Sequence, residues 1–224
     1  MKNIVIASPH SLHDQLELEL GVTFTVTRIK SREALTAEYL KALNPSYVFF
    51  PHWSWIIPDE ILTDFQCVIF HMTDLPYGRG GSPLQNLIVR GKKATVISAI
   101  KCVKELDAGP IYLKMPLTLD GTAKEILDRA STVIQQMIFK IVEGCGELKD
   151  QLGDVVSFKR RVSDDGDLSH LETTTQIYDY IRMLDADNYP CAFIEIDNFR
   201  LEFTSAKHVG ETVEAVVKFH RRDK

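Results

Sequence analysis

Cysteine is scarce in this chain: four residues in 224, at positions 67, 102, 145 and 191, with no C-x-x-C pair. That spacing excludes the usual thiolate zinc sites, and a disulfide framework is not expected in a chain of this size without a secretory signal. Cys67 and Cys102 fall inside apolar runs and read as buried, inert thiols. Long hydrophobic runs are missing as well. The opening MKNIVIASPH breaks at Ser8-Pro9 after a few apolar residues, short of a signal-peptide core and far short of the about 20 residues that span a membrane. No membrane partner and a cytoplasmic location are therefore expected. Positive charge is in deficit, with 26 Lys and Arg against 31 Asp and Glu, a net −5. Basic residues cluster only at Lys159-Arg160-Arg161 and Lys218 to Lys224, which read as a solvated face and a frayed end. A phosphate-neutralising surface, and with it a nucleic-acid partner, is not expected. The seven histidines show no ligand spacing with acidic residues. The nearest approach, HSLHD from His10, reads as a solvated loop, and no metal is expected.

What is present is an ordinary soluble balance, 45% hydrophobic and 25% charged. Ile4 to Ala7, Tyr47 to Phe50, Cys67 to Phe70, Thr95 to Ile100 and Ile111 to Pro116 are short apolar runs suited to buried strands. Between them lie helical patterns. Residues 31–43 carry Leu35, Tyr39, Leu40 and Leu43, with Ser31 as a possible N-cap and Asn44-Pro45 as the stop. Pro58 starts a short helix, and Ser82 to Arg90 reads as another, closed by Gly91. Thr122 to Val142 carries the longest apolar stripe, Ile126, Ala130, Ile134, Met137, Ile138 and Ile141. The alternation predicts an α/β fold: a Rossmann-like, mostly parallel sheet with helices on both faces. After Gly153 the texture becomes polar and loop-like, with a turn at Ser163 to Asp167. A helix over Thr174 to Leu184 and a hairpin of Ala192 to Ile196 with Arg200 to Phe203 follow. Residues 1–150 thus read as a catalytic domain, and residues 151–224 as a small α+β C-terminal extension packed on it.

Two places combine reactive residue types with loop geometry. A buried strand ends at His71 and runs into the flexible loop MTDLPYGRGGSP; in a parallel sheet that is the carboxyl edge, where ligands bind. Asp107, in the turn LDAGP, also follows a strand and could face His71. A group near neutral pKa with a carboxylate to orient it is what proton transfer to or from an amine requires.

The order and spacing of the whole set resemble the formyltransferase family that includes the methionyl-tRNA, glycinamide ribonucleotide and nucleotide-linked amino-sugar N-formyltransferases. The matching elements are His71, Leu75-Pro76, Arg79-Gly80, Pro83-Leu84-Gln85 and Asp107-Ala108-Gly109. The resemblance implies His71 and Asp107 as catalytic residues and N10-formyltetrahydrofolate as co-substrate. The folate would be received by the loop holding Trp53, Ser54, Trp55 and Ile57, with Asp107 also against it. The family pattern places an asparagine two positions before the histidine, where this sequence has Ile69. Isoleucine cannot donate a hydrogen bond to the formyl oxygen; His52 is the candidate replacement, with Ser54, Thr73 or a backbone N–H as alternatives.

FKRRVSDDGDL, QIYDYIRML and NYPCAF are similar to the C-terminal extension of the amino-sugar and methionyl-tRNA members. PHWSWIIP and the loop after His71 look closest to formyltransferases of nonulosonic-acid and surface-glycan synthesis. The implied acceptor is a nucleotide-linked amino sugar, such as a UDP- or dTDP-4-amino-4,6-dideoxy sugar. Arg79, Gly80, Ser82, Gln85 and Asn86 would line the acceptor side, Tyr189 and Phe193 would cover the base, and a homodimer is allowed. Two other readings stay open: formylation of another small amine or of methionyl-tRNA, and a folate- or nucleotide-binding protein without turnover.

Overall fold

The computed structural model describes residues 1–222, so the end of the basic stretch Lys218 to Lys224 lies outside the described residues. The chain divides into two compact units: Met1–Gly80, Thr95–Leu117 and Asp128–Ser157 form one, and Gly81–Ala94, Thr118–Leu127 and Phe158–Lys224 the other. In chain order the elements are β1 (Asn3–Ala7), α1 (Asp14–Leu20), β2 (Thr25–Ile29), α2 (Ala37–Leu43), β3 (Tyr47–Phe50), α3 (Asp59–Asp64), β4 (Cys67–His71), β5 (Tyr77–Gly80) and α4 (Pro83–Ile88). There follow β6 (Ala94–Lys101), β7 (Ile111–Thr118), α5 (Ala123–Glu143), β8 (Val156–Phe158), α6 (Thr174–Arg182), β9 (Ala192–Ile196), β10 (Phe199–Val209) and β11 (Thr212–Arg221).

Six strands form the main sheet in the order β2-β1-β3-β4-β6-β7. β1 runs parallel to β2 and β3, and β3 parallel to β4; β6 is antiparallel to β4, with His71 opposite Ser98. This is a Rossmann-like α/β arrangement. Continuous apolar runs make its centre: Ile4, Val5, Ile6, Val48, Phe49 and Phe50 are essentially inaccessible, as in strands covered on both faces. Val5, Leu40, Val48, Phe50, Trp53 and Cys67 join one core cluster, with Ile57 and Ile69 packed against it. Burial pushes the Cys67 thiol up to about 12 and that of Cys102 well above its ordinary value. Because β1, β3 and β4 are parallel neighbours, Ser8, Pro51 and His71 reach the same sheet edge.

The helix expected over 31–43 begins only at Ala37. Thr36, extended, caps it by accepting the Tyr39 N–H at 3.2 Å, whereas Ser31 Oγ accepts the Ala34 N–H in a preceding turn. Asn44, left-handed, ends the helix as expected. In the second unit Thr173 and Gln176 form a capping box at the start of α6. The hairpin of β9 and β10 turns at a left-handed Asp197, and β11 adds an antiparallel third strand. Within the polar stretch after Gly153, Val156–Phe158 pairs with β5 and Ser163–Gly166 is one 3-10 turn. Among the described residues no helix is long and apolar enough to cross a membrane.

Candidate active site

β4 delivers His71 to the carboxyl edge, and the segment after β6 brings Asp107 to it. Both side chains are buried, with 3.6 Å between His71 Nδ1 and Asp107 Oδ2. His71 Nε2 lies 2.7 Å from the Gly78 carbonyl oxygen. A carbonyl only accepts, so Nε2–H donates and fixes the ring; Nδ1 is left facing the carboxylate, the edge through which a proton can pass. Asp107 Oδ2 also accepts the Gly80 N–H at 2.9 Å. Asp107 itself is left-handed, with φ 53°, a conformation a non-glycine residue adopts only when its surroundings hold it there. Gly109 is obligatory in the same turn, since a Cβ would collide with the Lys101 carbonyl. LDAGP is therefore a shaped turn that aims a carboxylate.

The residue that clamps this turn was not among the sequence candidates. Gln151 Nε2 donates to the Asp107 and Gly109 carbonyls at 2.7 and 2.9 Å. Its Oε1 accepts from Arg79 Nε and Nη2 at 3.1 and 2.9 Å. Arg79 Nη1 also meets Glu105 at 3.1 Å. His71, Asp107, Arg79 and the Gly80 backbone thus share one network. Gln151 sits in an unpatterned polar stretch, so no periodicity or motif marks it.

The expected folate loop lies at the same edge. Trp53 is buried and meets Trp55 edge-on, ring centroids 4.8 Å apart, while Ile57 packs on the core. Ser54 is exposed. Two buried nitrogens of this loop, His52 Nε2 and Trp53 Nε1, have no hydrogen-bond partner among the described residues. The peptide HSLHD is not the solvated loop its polarity suggests. Arg28 donates to the carbonyls of Ser8, His10 and His13 at 2.9, 2.8 and 2.8 Å, folding the segment inward so that His13 is fully buried. His13 Nε2 lies 2.8 Å from His52 Nδ1, and His13 Nδ1 lies 3.0 Å from Ser131 Oγ of α5. Burial, reinforced by the neighbouring His52 and Arg28, pushes His13 down to about 2; burial and His10 push His52 down to about 4. Among the described residues no group of three or more His, Cys, Asp or Glu could hold a metal ion.

The other acceptor-side candidates belong to the second unit. Ser82, left-handed, precedes α4, and its Oγ accepts the Arg161 N–H at 3.1 Å. Asn86 Nδ2 donates to the Gly81, Ser82 and Lys159 carbonyls at 3.0, 3.1 and 2.9 Å, and its Oδ1 accepts from Arg90 at 2.8 Å. Gln85 is buried, and burial pushes the Tyr189 phenol up, with Gln85 opposing the shift. Phe193 is buried, with the Arg200 guanidinium 3.5 Å over its ring. All of these contacts lie within that unit.

Comparison with known proteins matches residues 9–142 to the formyl transferase family and residues 163–220 to a family described as the methionyl-tRNA formyltransferase C-terminal domain. A solved structure of a methionyl-tRNA formyltransferase from Clostridium thermocellum is 44% identical over 99% of this chain and 100% of that one, with a TM-score of 0.94. A methionyl-tRNA formyltransferase of Thermodesulfovibrio yellowstonii is 26% identical over 171 residues, 73% of this chain and 55% of the relative. A sugar N-formyltransferase from Shewanella sp. shares the fold at 16% identity and a TM-score of 0.70, over 93% of this chain and 99% of its own. The chain spans about half the length of the curated relatives it matches.

Proposed function

The chain belongs to the formyl transferase family, and on that premise we propose that it moves a formyl group from N10-formyltetrahydrofolate to a primary amine. The observation that carries this reading is the buried His71–Asp107 pair, 3.6 Å apart at the sheet edge and held by Gly78, Gly80 and Gln151. The folate supplies a formyl carbon made electrophilic by its N10 attachment. A neutral amine attacks that carbon, the bond to N10 breaks, and the proton the amine sheds must reach N10. His71 Nδ1 and Asp107 Oδ2 face each other and offer that proton a route, with the ring pinned by Gly78 so that orientation supplies much of the rate. The loop of Trp53, Ser54, Trp55 and Ile57 is the proposed seat of the folate, with Asp107 beside it. The unpartnered buried Trp53 Nε1 fits a ligand that brings an acceptor atom.

For the acceptor, the comparisons favour methionyl-tRNA over the amino sugar that the motifs suggested, since the 44% identical structure and the curated relatives carry that name. A nucleotide-linked amino sugar is the second reading, supported by the net charge of −5, which leaves little cationic surface for a phosphate backbone. In that reading Ser82, Gln85 and Asn86 serve the acceptor side, with Tyr189 and Phe193 covering the base. A spectroscopic assay of folate deformylation separates the two. Transfer to methionyl-tRNA that weakens steeply with salt supports the first. Transfer to a UDP-, dTDP- or GDP-linked amino sugar supports the second. Folate binding with no turnover on either acceptor class overturns formyl transfer.

A further inference from the structure

Ser131, His13 and His52 form a continuous line of hydrogen bonds ending at the unpartnered His52 Nε2. The two imidazoles are nearly parallel, 16° apart. Two proton orders fit the distances. If His13 Nδ1–H donated to Ser131, the serine proton would have no acceptor, because among the described residues this is the one hydrogen bond that Ser131 Oγ makes. His52 would then present a bare lone pair. In the other order Ser131 O–H donates to His13 Nδ1, His13 Nε2–H donates to His52 Nδ1, and the proton of His52 sits on Nε2. This order satisfies every group in the line except that final N–H. A buried donor left without an acceptor keeps the cost of its lost hydration, so the order that strands fewer groups prevails.

Position gives the free N–H a task. β3 and β4 are parallel with Phe50 opposite Ile69; His52 stands two residues beyond Phe50, and His71 two residues beyond Ile69. Ile69 packs against the core cluster and has no polar atom to offer. His52 is held left-handed at φ 52°, and the His10 ring meets it edge-on, with centroids 6.4 Å apart. A strained, positioned and unpartnered donor beside the reacting edge points to a ligand.

We infer that Ser131 and His13 hold His52 as its Nε2–H tautomer, and that this N–H donates to the formyl oxygen as negative charge develops there. His52 is then a catalytic residue, and His13 and Ser131 are positioning residues. The inference rests on the formyl-transfer reading for its ligand, but the tautomer is a property of the free protein.

Two measurements test it. Nitrogen-15 NMR of histidine-labelled protein should show His52 protonated at Nε2 and bare at Nδ1, with that preference lost in Ser131→Ala and His13→Ala. In the deformylation assay His52→Ala should lower kcat by about 10²–10³-fold, the usual effect of removing one such donor, with KM for the folate nearly unchanged. His52→Gln, which keeps an N–H, should recover part of the loss. A His52 protonated at Nδ1, or a folded His52→Ala within threefold of the parent kcat, overturns the inference. A parent protein inactive on every acceptor sinks the formyl-transfer reading and the task given to the N–H, while the tautomer spectrum still decides the relay.

Discussion

At the scale of single residues, the histidines show how far side-chain type alone can mislead. His10 and His13 lie in a short polar peptide that reads as solvated, yet Arg28 gathers the carbonyls of Ser8, His10 and His13, and His13 is buried. An arginine folding a loop from 15 to 20 residues away leaves no local pattern. The burial has a consequence in acid. His52 and His13 have folded values of about 4 and about 2 against an ordinary 6.5. Above pH 6.5 both are neutral whether folded or unfolded, and their contribution is complete. Below it the unfolded chain takes up protons that the folded chain refuses, so stability falls as pH drops from 6.5 toward the folded values. At 1.36 kcal/mol per pKa unit the loss by pH 5 is on the order of 2 kcal/mol per histidine. Urea unfolding at pH 7.5 and pH 5.0 should show this loss in the parent and a smaller one in a His13→Asn/His52→Asn double variant. Equal losses in the two proteins would contradict the account.

At the scale of elements, what could be read from the sequence divides along lines of burial. β1, β3, β4 and β6 are apolar runs with buried residues and turn signals around them, and α5 carries a sustained stripe, so each declares itself; β7, an edge strand with only Leu117 buried, is read from its apolar composition alone. β2, with its alternating TVTRI, borders the sheet, α1 repeats leucine at a two-residue spacing, and β11 is largely exposed; their patterns are weak because fewer of their residues face a core. The His71 and Asp107 turns were legible for a different reason: His71 ends β4 and Asp107 lies between β6 and β7, each followed by glycine and proline, a local signal. What fastens them is not local. Gln151 reaches the Asp107 turn across 44 residues and Arg79 across 72. Gln151→Ala removes four hydrogen bonds around that turn and should destabilise the protein by about 1–3 kcal/mol. It should also lower kcat about tenfold, because a carboxylate displaced by a fraction of an ångström no longer faces His71. Thermal melts and steady-state kinetics on the same preparation check both, and an unchanged kcat would show that the clamp does not position Asp107.

At the scale of the whole molecule, the family was legible because its motifs sit at fixed distances on a parallel sheet, whereas the acceptor was not. Motif likeness pointed to amino sugars, and the similar proteins point to methionyl-tRNA. An acceptor is recognised by surface charge and shape, which few residues of fixed spacing report. The central claim does not depend on that choice. It is that His71 and Asp107 act as one unit on the proton of an amine, and the most direct measurement is folate deformylation by the parent, His71→Ala, Asp107→Asn and the double variant, with whichever acceptor the parent uses. The account predicts that both single variants stay folded, that each loses at least about 10²-fold in kcat, and that the double variant loses little more than either alone. A folded single variant turning over at near the parent rate, or losses that simply multiply, would contradict it.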